Sequence, residues 1–162
     1  MPFVFRVQMP GQAAYARAIQ RFADQIEDWQ PFWETYFKPA WYRHITAHYE
    51  TQGRATGTQW APLSVRYAMW KQKHWPGLPV GVLSGATRES LTFADDPNAI
   101  WEAGQRTLTV GSRVPHATRL QRGTKRMPAR PPLRINDQFV DLMAKLMQEY
   151  AVHEIRRVGI KP

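Results

Sequence analysis

The sequence predicts an α+β fold: a small antiparallel β-sheet packed with N-terminal and C-terminal helices, in a single compact domain with an extended basic arm. Three observations predict it. Apolar residues recur at helical spacing towards both ends of the chain, short alternating segments separated by turn residues lie between them, and one proline-rich segment carries the excess positive charge. A length of 162 residues points to one domain. It divides into a helical, aromatic-rich part (12–50), a part holding the sheet and the basic arm (51–135), and a C-terminal helix (136–158).

The elements follow in order. Phe3, Phe5 and Val7 alternate with Val4, Arg6 and Gln8, which reads as a short strand rather than a signal peptide. Ile19, Phe22, Ile26, Trp29 and Trp33 recur at steps of three or four, followed by Phe32, Trp33, Tyr36, Phe37 and Trp41. That stripe predicts helix over 13–50, its aromatic face buried in the core rather than lining a ligand site. Pro31 suits a first helical turn, so one helix is expected to end near Trp29 and another to begin at Pro31. Pro39 should kink or split the second. Residues 51–63 form a loop marked by Gly53, Gly57 and Pro62. Ser64 is placed to cap a short helix to about His74, which Trp75-Pro76-Gly77 ends. Residues 78–85 are apolar with two glycines and lead into a helical turn or strand start.

Ser90–Phe93, Ala99–Glu102 and Arg106–Gly111 then predict a three-stranded meander, with turn chemistry at Asp95-Asp96-Pro97-Asn98 and Ala103-Gly104-Gln105. Leu108 and Val110 alternate with Thr107 and Thr109, so one face is buried and the other wet. Phe139, Leu142, Met143, Leu146, Met147 and Tyr150 form one stripe of the last helix. Asn136 or Asp137 can cap it, and Arg156 and Arg157 suit its C-terminal pole. Gly159 and Pro162 stop it.

Composition narrows the function. With no cysteine, disulfides and thiolate metal sites are excluded, which fits a reducing cytoplasm. No apolar run approaches the roughly 18 residues of a membrane span. The formal net charge is +9, yet it is concentrated. Between Ala103 and Asn136 stand eight Lys or Arg and no Asp or Glu, leaving 14 basic and 13 acidic residues elsewhere.

Reactive constellations are sparse. His44 and His48 stand four apart on the expected helix, a spacing that can bring two imidazoles to one metal ion. No glutamate adjoins His44, no third ligand is evident, and a surface or partly buried pair is the alternative. Ser84 in VLSGA lacks the glycine of a nucleophile elbow, because that position is Val82. Asp95-Asp96 reads as a turn before it reads as a cation site. Phosphate-cradling and dinucleotide-binding glycine patterns are missing. No catalytic residue, cofactor or metal is therefore expected, and the chain is read as not an enzyme.

That leaves the basic segment. Eight cations could track phosphates through counterion release, so a DNA-binding protein using 106–134 is the alternative reading. Aromatics that would stack on bases are missing from 102–138. Pro128, Pro131 and Pro132 forbid a recognition helix there and favour an extended, preorganised arm. Arg119, Arg122, Lys125, Arg126, Arg130 and Arg134 are then candidates for contact with a partner or a neighbouring subunit, since guanidinium groups fork onto carboxylates. A solvated loop is the plain alternative.

Four phrases carry a resemblance: GTQWAPLSVRYAMWK (57–71), VLSGATRESL (82–91), LTVGSRVPHATRLQRGT (108–124) and MPARPPL (127–133). In that order, across about residues 50–135, they resemble the bacteriophage virion morphogenesis or tail completion family. Its pattern looks like G-x-x-W-x-P-L-[ST]-x-x-[YT]-x-x-x-K, L-x-x-[ST]-G-x-L-x-x-S, V-G-[ST]-x-x-x-Y-A-x-x-[HL]-Q-x-G and P-A-R-P-x-L. The chain departs from it at Ala86-Thr87, where a bulky aliphatic residue often follows the glycine, and at His116, where an aromatic usually precedes Ala117.

The resemblance implies a structural protein of the phage neck or tail end, one that completes heads or tails and joins them. It also implies a homo-oligomeric ring, often six-fold, around the DNA passage, in contact with other neck, connector or tail proteins. Assembly in the host cytoplasm, residence in the virion and occasional contact with packaged DNA would follow, with no membrane partner. On the matched residues, Trp60 and Pro62 are expected to anchor the loop before the short helix, with Leu63 buried. Tyr67 and Lys71 lie one turn apart. Gly85 and Gly111 are expected in backbone geometry closed to other residues. Gln121, Gly123, Pro128, Ala129, Arg130 and Pro131 make up the arm, with Arg130 the leading candidate for an intersubunit pair.

Overall fold

A computed structural model describes residues 28–157. The expected strand at Phe3–Gln8, the stripe residues Ile19, Phe22 and Ile26, and the stop at Gly159 and Pro162 lie outside them. The architecture is α+β, a two-stranded antiparallel sheet with several helices.

Helix α1 is a composite: an α-helical start at Gln30–Phe32, a π turn at Trp33–Phe37 and an α-helical remainder at Lys38–Glu50. It begins one residue before Pro31, as the proline requires, and runs through Pro39 unsplit. The π turn is the accommodation. Pro39 has no N–H to give the carbonyl four residues back, and the Lys38 N–H instead reaches the Trp33 carbonyl five residues back. The wider turn also sets the core register. Phe32 and Phe37 are five apart, about 140° round a regular α-helix, yet both are buried. From Phe37 the stripe continues regularly through Trp41, Ile45 and Tyr49.

A tight turn at Arg54–Thr56 leads to a loop, then to α2 (Val65–His74) with Ser64 at its N-cap, its Oγ accepting from the Tyr67 N–H. Next comes α3 (Ala86–Thr92), where a strand was expected over Ser90–Phe93. Buried Thr87, Ser90 and Leu91 have helical spacing, but two of them are polar and the apolar pattern hides it. Their hydroxyl neighbourhood suits a helix: Ser90 Oγ donates to the Thr87 carbonyl and Thr92 Oγ1 to that of Arg88.

The meander therefore reduces to a hairpin. Strands β1 (Ala99–Ala103) and β2 (Leu108–Ser112) pair antiparallel, Trp101 opposite Val110. Trp101 docks the hairpin on α1. Its ring stacks on Tyr42 at 5.8 Å, its Nε1–H donates to Glu34 at 2.6 Å, and Lys38 lies over its face at 5.2 Å. The chain then forms α4 (Ala117–Arg122), a proline-rich crossing and α5 (Asp137–Arg157). Phe139 of α5 meets Phe37 and Trp41 edge to face, while Tyr150 packs against Phe32 and Tyr36. The rest of the expected α5 stripe is looser: Met143 and Leu146 are half-buried, Leu142 and Met147 exposed.

Candidate functional site: a cationic groove beneath the basic segment

The basic segment is fastened to its own chain. Helix α4 ends at Gly123, whose φ of +73° and close approach admit no side chain: a Cβ there would stand 2.8 Å from the Ala129 nitrogen. A tight turn, Thr124 to Met127, reverses the chain and carries the exposed Lys125 and Arg126. Returning alongside α4, the Arg130 N–H donates to the Leu120 carbonyl at 2.9 Å. Gln121 then clasps Leu133 in both directions, Nε2 donating to its carbonyl and Oε1 accepting from its N–H.

Both histidines of α1 complete the fastening. His44 Nε2 donates to the Arg134 carbonyl at 2.8 Å, and His48 Nε2 donates to the Pro131 carbonyl at 2.7 Å. Fully buried His48 also takes the Thr56 hydroxyl proton at Nδ1, 2.8 Å away. Burial holds its imidazole below the usual histidine range, with the Pro131 bond acting the other way. Their four-residue spacing thus serves two backbone carbonyls, and no group of three metal-ligating side chains occurs among the described residues.

Arg130 corrects an expectation. Placed by sequence at an intersubunit pair, it is only 5% exposed and forks onto its own chain: Nε donates to the Ala61 carbonyl at 2.7 Å and Nη2 to that of Pro62 at 2.8 Å. The other arm cations, Arg119, Arg122, Lys125, Arg126 and Arg134, are exposed.

Arg130 also walls an open groove of about 560 Å³ between α2, the start of α3, α4 and the returning arm. Lys71, Arg88, Arg119, Arg126 and Arg130 line it, with His116, and no carboxylate does so among the described residues. Leu63, Val82, Leu120 and Met127 add apolar lining to it. Lys71 is 5% exposed, its Nζ donating to the Pro79 carbonyl. Burial pushes its pKa down, and the Arg130 charge pushes it further. Burial likewise lowers Arg130. The Thr87 hydroxyl, in the same wall, is buried without a hydrogen-bond partner. Such a surface suits an anion that brings an apolar body with it.

Most of the remaining sequence expectations fit. Trp60 is buried against Tyr49 and His48, each ring contact 5.3 Å, although its Nε1 has no partner. Pro62 is exposed and acts through its carbonyl, while Leu63 is half-buried in the groove rather than in the core. Gly85 has φ +87° and starts α3. Gly111 does not need to be glycine for its backbone, since it lies in β2 outside the left-handed region. Pro128 lines the groove, and Pro131 is half-buried beneath its bond to His48. Sequence reasoning missed Arg88, Thr87 and His116 as groove residues. Two of these three had a signal, for Thr87 and His116 stand where the chain departs from the phage pattern.

No family model, curated protein or solved structure matches this chain.

Proposed function

We propose that this chain is a non-enzymatic structural protein of a bacteriophage neck or tail end, completing the tail or head and joining them. It acts as a ring of copies, most simply six, around the DNA passage, in contact with other neck, connector or tail proteins. One observation carries this reading. Residues from the four phrases that resemble the tail completion family, far apart in sequence, close round a single groove: Pro62, Leu63 and Lys71, then Gly85, then Leu120, then Pro128 and Arg130. A surface that gathers binding potential without a catalytic constellation suits a docking part. Omitting the chain from the producing virus should leave heads and tails unjoined or tail ends incomplete in electron micrographs. Virions of normal form and infectivity made without it overturn the reading.

A second reading keeps its own support. Exposed Arg119, Arg122, Lys125 and Arg126 lie close together on α4 and the turn after it, an array that could track phosphates. Duplex binding that weakens steeply over a salt series would favour it. No helix among the described residues is long and apolar enough to cross a membrane.

A further inference from the structure

The groove has a counterpart elsewhere on the same chain. Where α3 ends, Phe93 is 59% exposed, and Asp95 and Asp96 follow it. This knuckle is braced internally. The Asp96 carboxylate accepts from the Asn98 N–H at 2.8 Å, and the Ala99 N–H donates to the Asp96 carbonyl at 2.9 Å. Among the exposed large apolar side chains, Phe93 is the aromatic one beside two carboxylates. It offers an apolar body flanked by negative charge, and the groove offers apolar walls flanked by positive charge.

The two cannot meet within one chain. Ala86, Thr87 and Arg88 at the start of α3 belong to the groove wall, and Phe93 caps the opposite end of that helix, about 10 Å away at 1.5 Å per residue. A rigid helix keeps them apart, so any pairing is between copies. Such a contact joins two different surfaces, and contacts of that kind close into rings when the rotation allows. A chain of net charge +9 also repels its own copies unless the contact sets opposite charges together.

We propose that the Phe93–Pro97 knuckle of one copy docks into the cationic groove of the next, Phe93 between Leu63, Val82 and Leu120 and its carboxylates towards Arg119 and Arg126. The volume suits it, since sites holding a small ligand commonly span about 300–1,000 Å³. Preorganisation on both sides lowers the ordering cost of association. The pairing rests on the assembly reading above and names the surfaces that would build the ring.

The test uses the full chain and a fluorescently labelled synthetic peptide of residues 91–98. Anisotropy should show binding at low salt, at least tenfold tighter than for a scrambled peptide of the same composition. Phe93→Ser in the peptide should abolish that advantage. Asp95→Lys with Asp96→Lys should abolish it on the wild-type chain and restore it on a chain carrying Arg119→Glu and Arg126→Glu, whose exposed positions leave folding intact by circular dichroism. At full length, the knuckle variant and the groove variant should each stay monomeric by sedimentation velocity. In a mixture, the sound groove of the knuckle variant takes the sound knuckle of the groove variant and the two charge-reversed surfaces also match, so assembly should return although neither variant assembles alone.

A peptide no better than its scramble, or no recovery by the charge exchange, overturns the pairing. So does assembly lost through Val140→Ser and Leu142→Ser on α5 but kept by the knuckle variants, or displacement of the peptide by a 20-base-pair duplex that binds more tightly. Each of these leaves the neck assignment standing. Normal virions without the chain would defeat that assignment and leave the peptide measurement intact.

Discussion

His48 should make the fold sensitive to mild acid. Its imidazole is buried, Nε2–H on the Pro131 carbonyl and Nδ1 taking the Thr56 proton. Protonating it puts a second N–H at Nδ1, and Thr56 can yield by turning its hydroxyl to the Gly53 carbonyl, 3.0 Å away. The hydrogen bonds can be rearranged, so the penalty is the loss of solvation by a buried cation, which is what lowers the folded pKa. Between the unfolded value of about 6.5 and the lowered folded value, the unfolded chain carries a proton that the folded chain does not, so stability rises with pH there. The contribution is fully present above about 6.5 and is lost as pH falls through the folded value. The slope is at most about 1.4 kcal/mol per pH unit. With a urea m-value of about 1–3 kcal/mol/M, that moves the midpoint by about 0.5–1.4 M per unit. Urea denaturation at half-unit steps from pH 7.5 to 5 measures it. His48→Gln should be about 1–3 kcal/mol less stable at pH 7.5, one residue no longer serving both partners, and should lack the slope between 6.5 and 5. A slope unchanged in the variant, or a wild type that gains stability on acidification, refutes the reasoning.

Gly123→Ala should cost about 1–3 kcal/mol, because the left-handed backbone and the Ala129 nitrogen leave no room, whereas Gly111→Ala should stay within about 1 kcal/mol, its Cβ meeting Ile100 at an ordinary 3.7 Å; the two melting temperatures decide. Arg130→Met removes the donors to Ala61 and Pro62 and should destabilise by about 1–3 kcal/mol. Arg126→Met, at an exposed site, should fall within about 0.5 kcal/mol of the wild type. Equal effects of the two arginine variants in urea would contradict the fastened arm.

Helices announced themselves wherever apolar spacing was the whole story. The aromatic run of α1, the Ser64 cap of α2 and the start of α5 are legible, the first and last from apolar residues at helical spacing and the second from its capping side chain. Helix α3 was not, because its inward positions Thr87 and Ser90 carry hydroxyls where the pattern needs apolar side chains; Ser90 Oγ is held by the Thr87 carbonyl and lies 2.6 Å from Ser112 Oγ, while the Thr87 hydroxyl has no partner. The π turn was half legible: Pro39 signals a disturbance, but only the five-residue gap from Phe32 to Phe37 says that the helix absorbs it. At the site, the charge asymmetry located the basic segment and its prolines explained its extended return. Which cations turn inward was not legible, because that depends on carbonyls of Ala61, Pro62 and Pro79, and backbone acceptors leave no mark in a sequence.

The inward cations are the harder feature to account for as architecture. Lys71 and Arg130 are nearly buried, burial and the Arg130 charge depress the ionisation of Lys71, and among the described residues both side chains donate to backbone carbonyl oxygens. An apolar side chain of similar volume at Lys71 avoids that desolvation and repulsion and gives up one bond, to the carbonyl of half-buried Pro79, where Arg130→Met gives up two. Lys71→Met should therefore stay within about 1 kcal/mol of the wild type in urea, while its affinity for the 91–98 peptide drops several-fold as the groove loses positive potential. A stability loss of about 2 kcal/mol or more would instead make Lys71 a clasp for the Pro79 turn, its charge incidental. Gain or parity in folding together with loss in binding is the signature of a residue kept for what enters the groove, and Thr87, buried beside it with no partner for its hydroxyl, fits the same description.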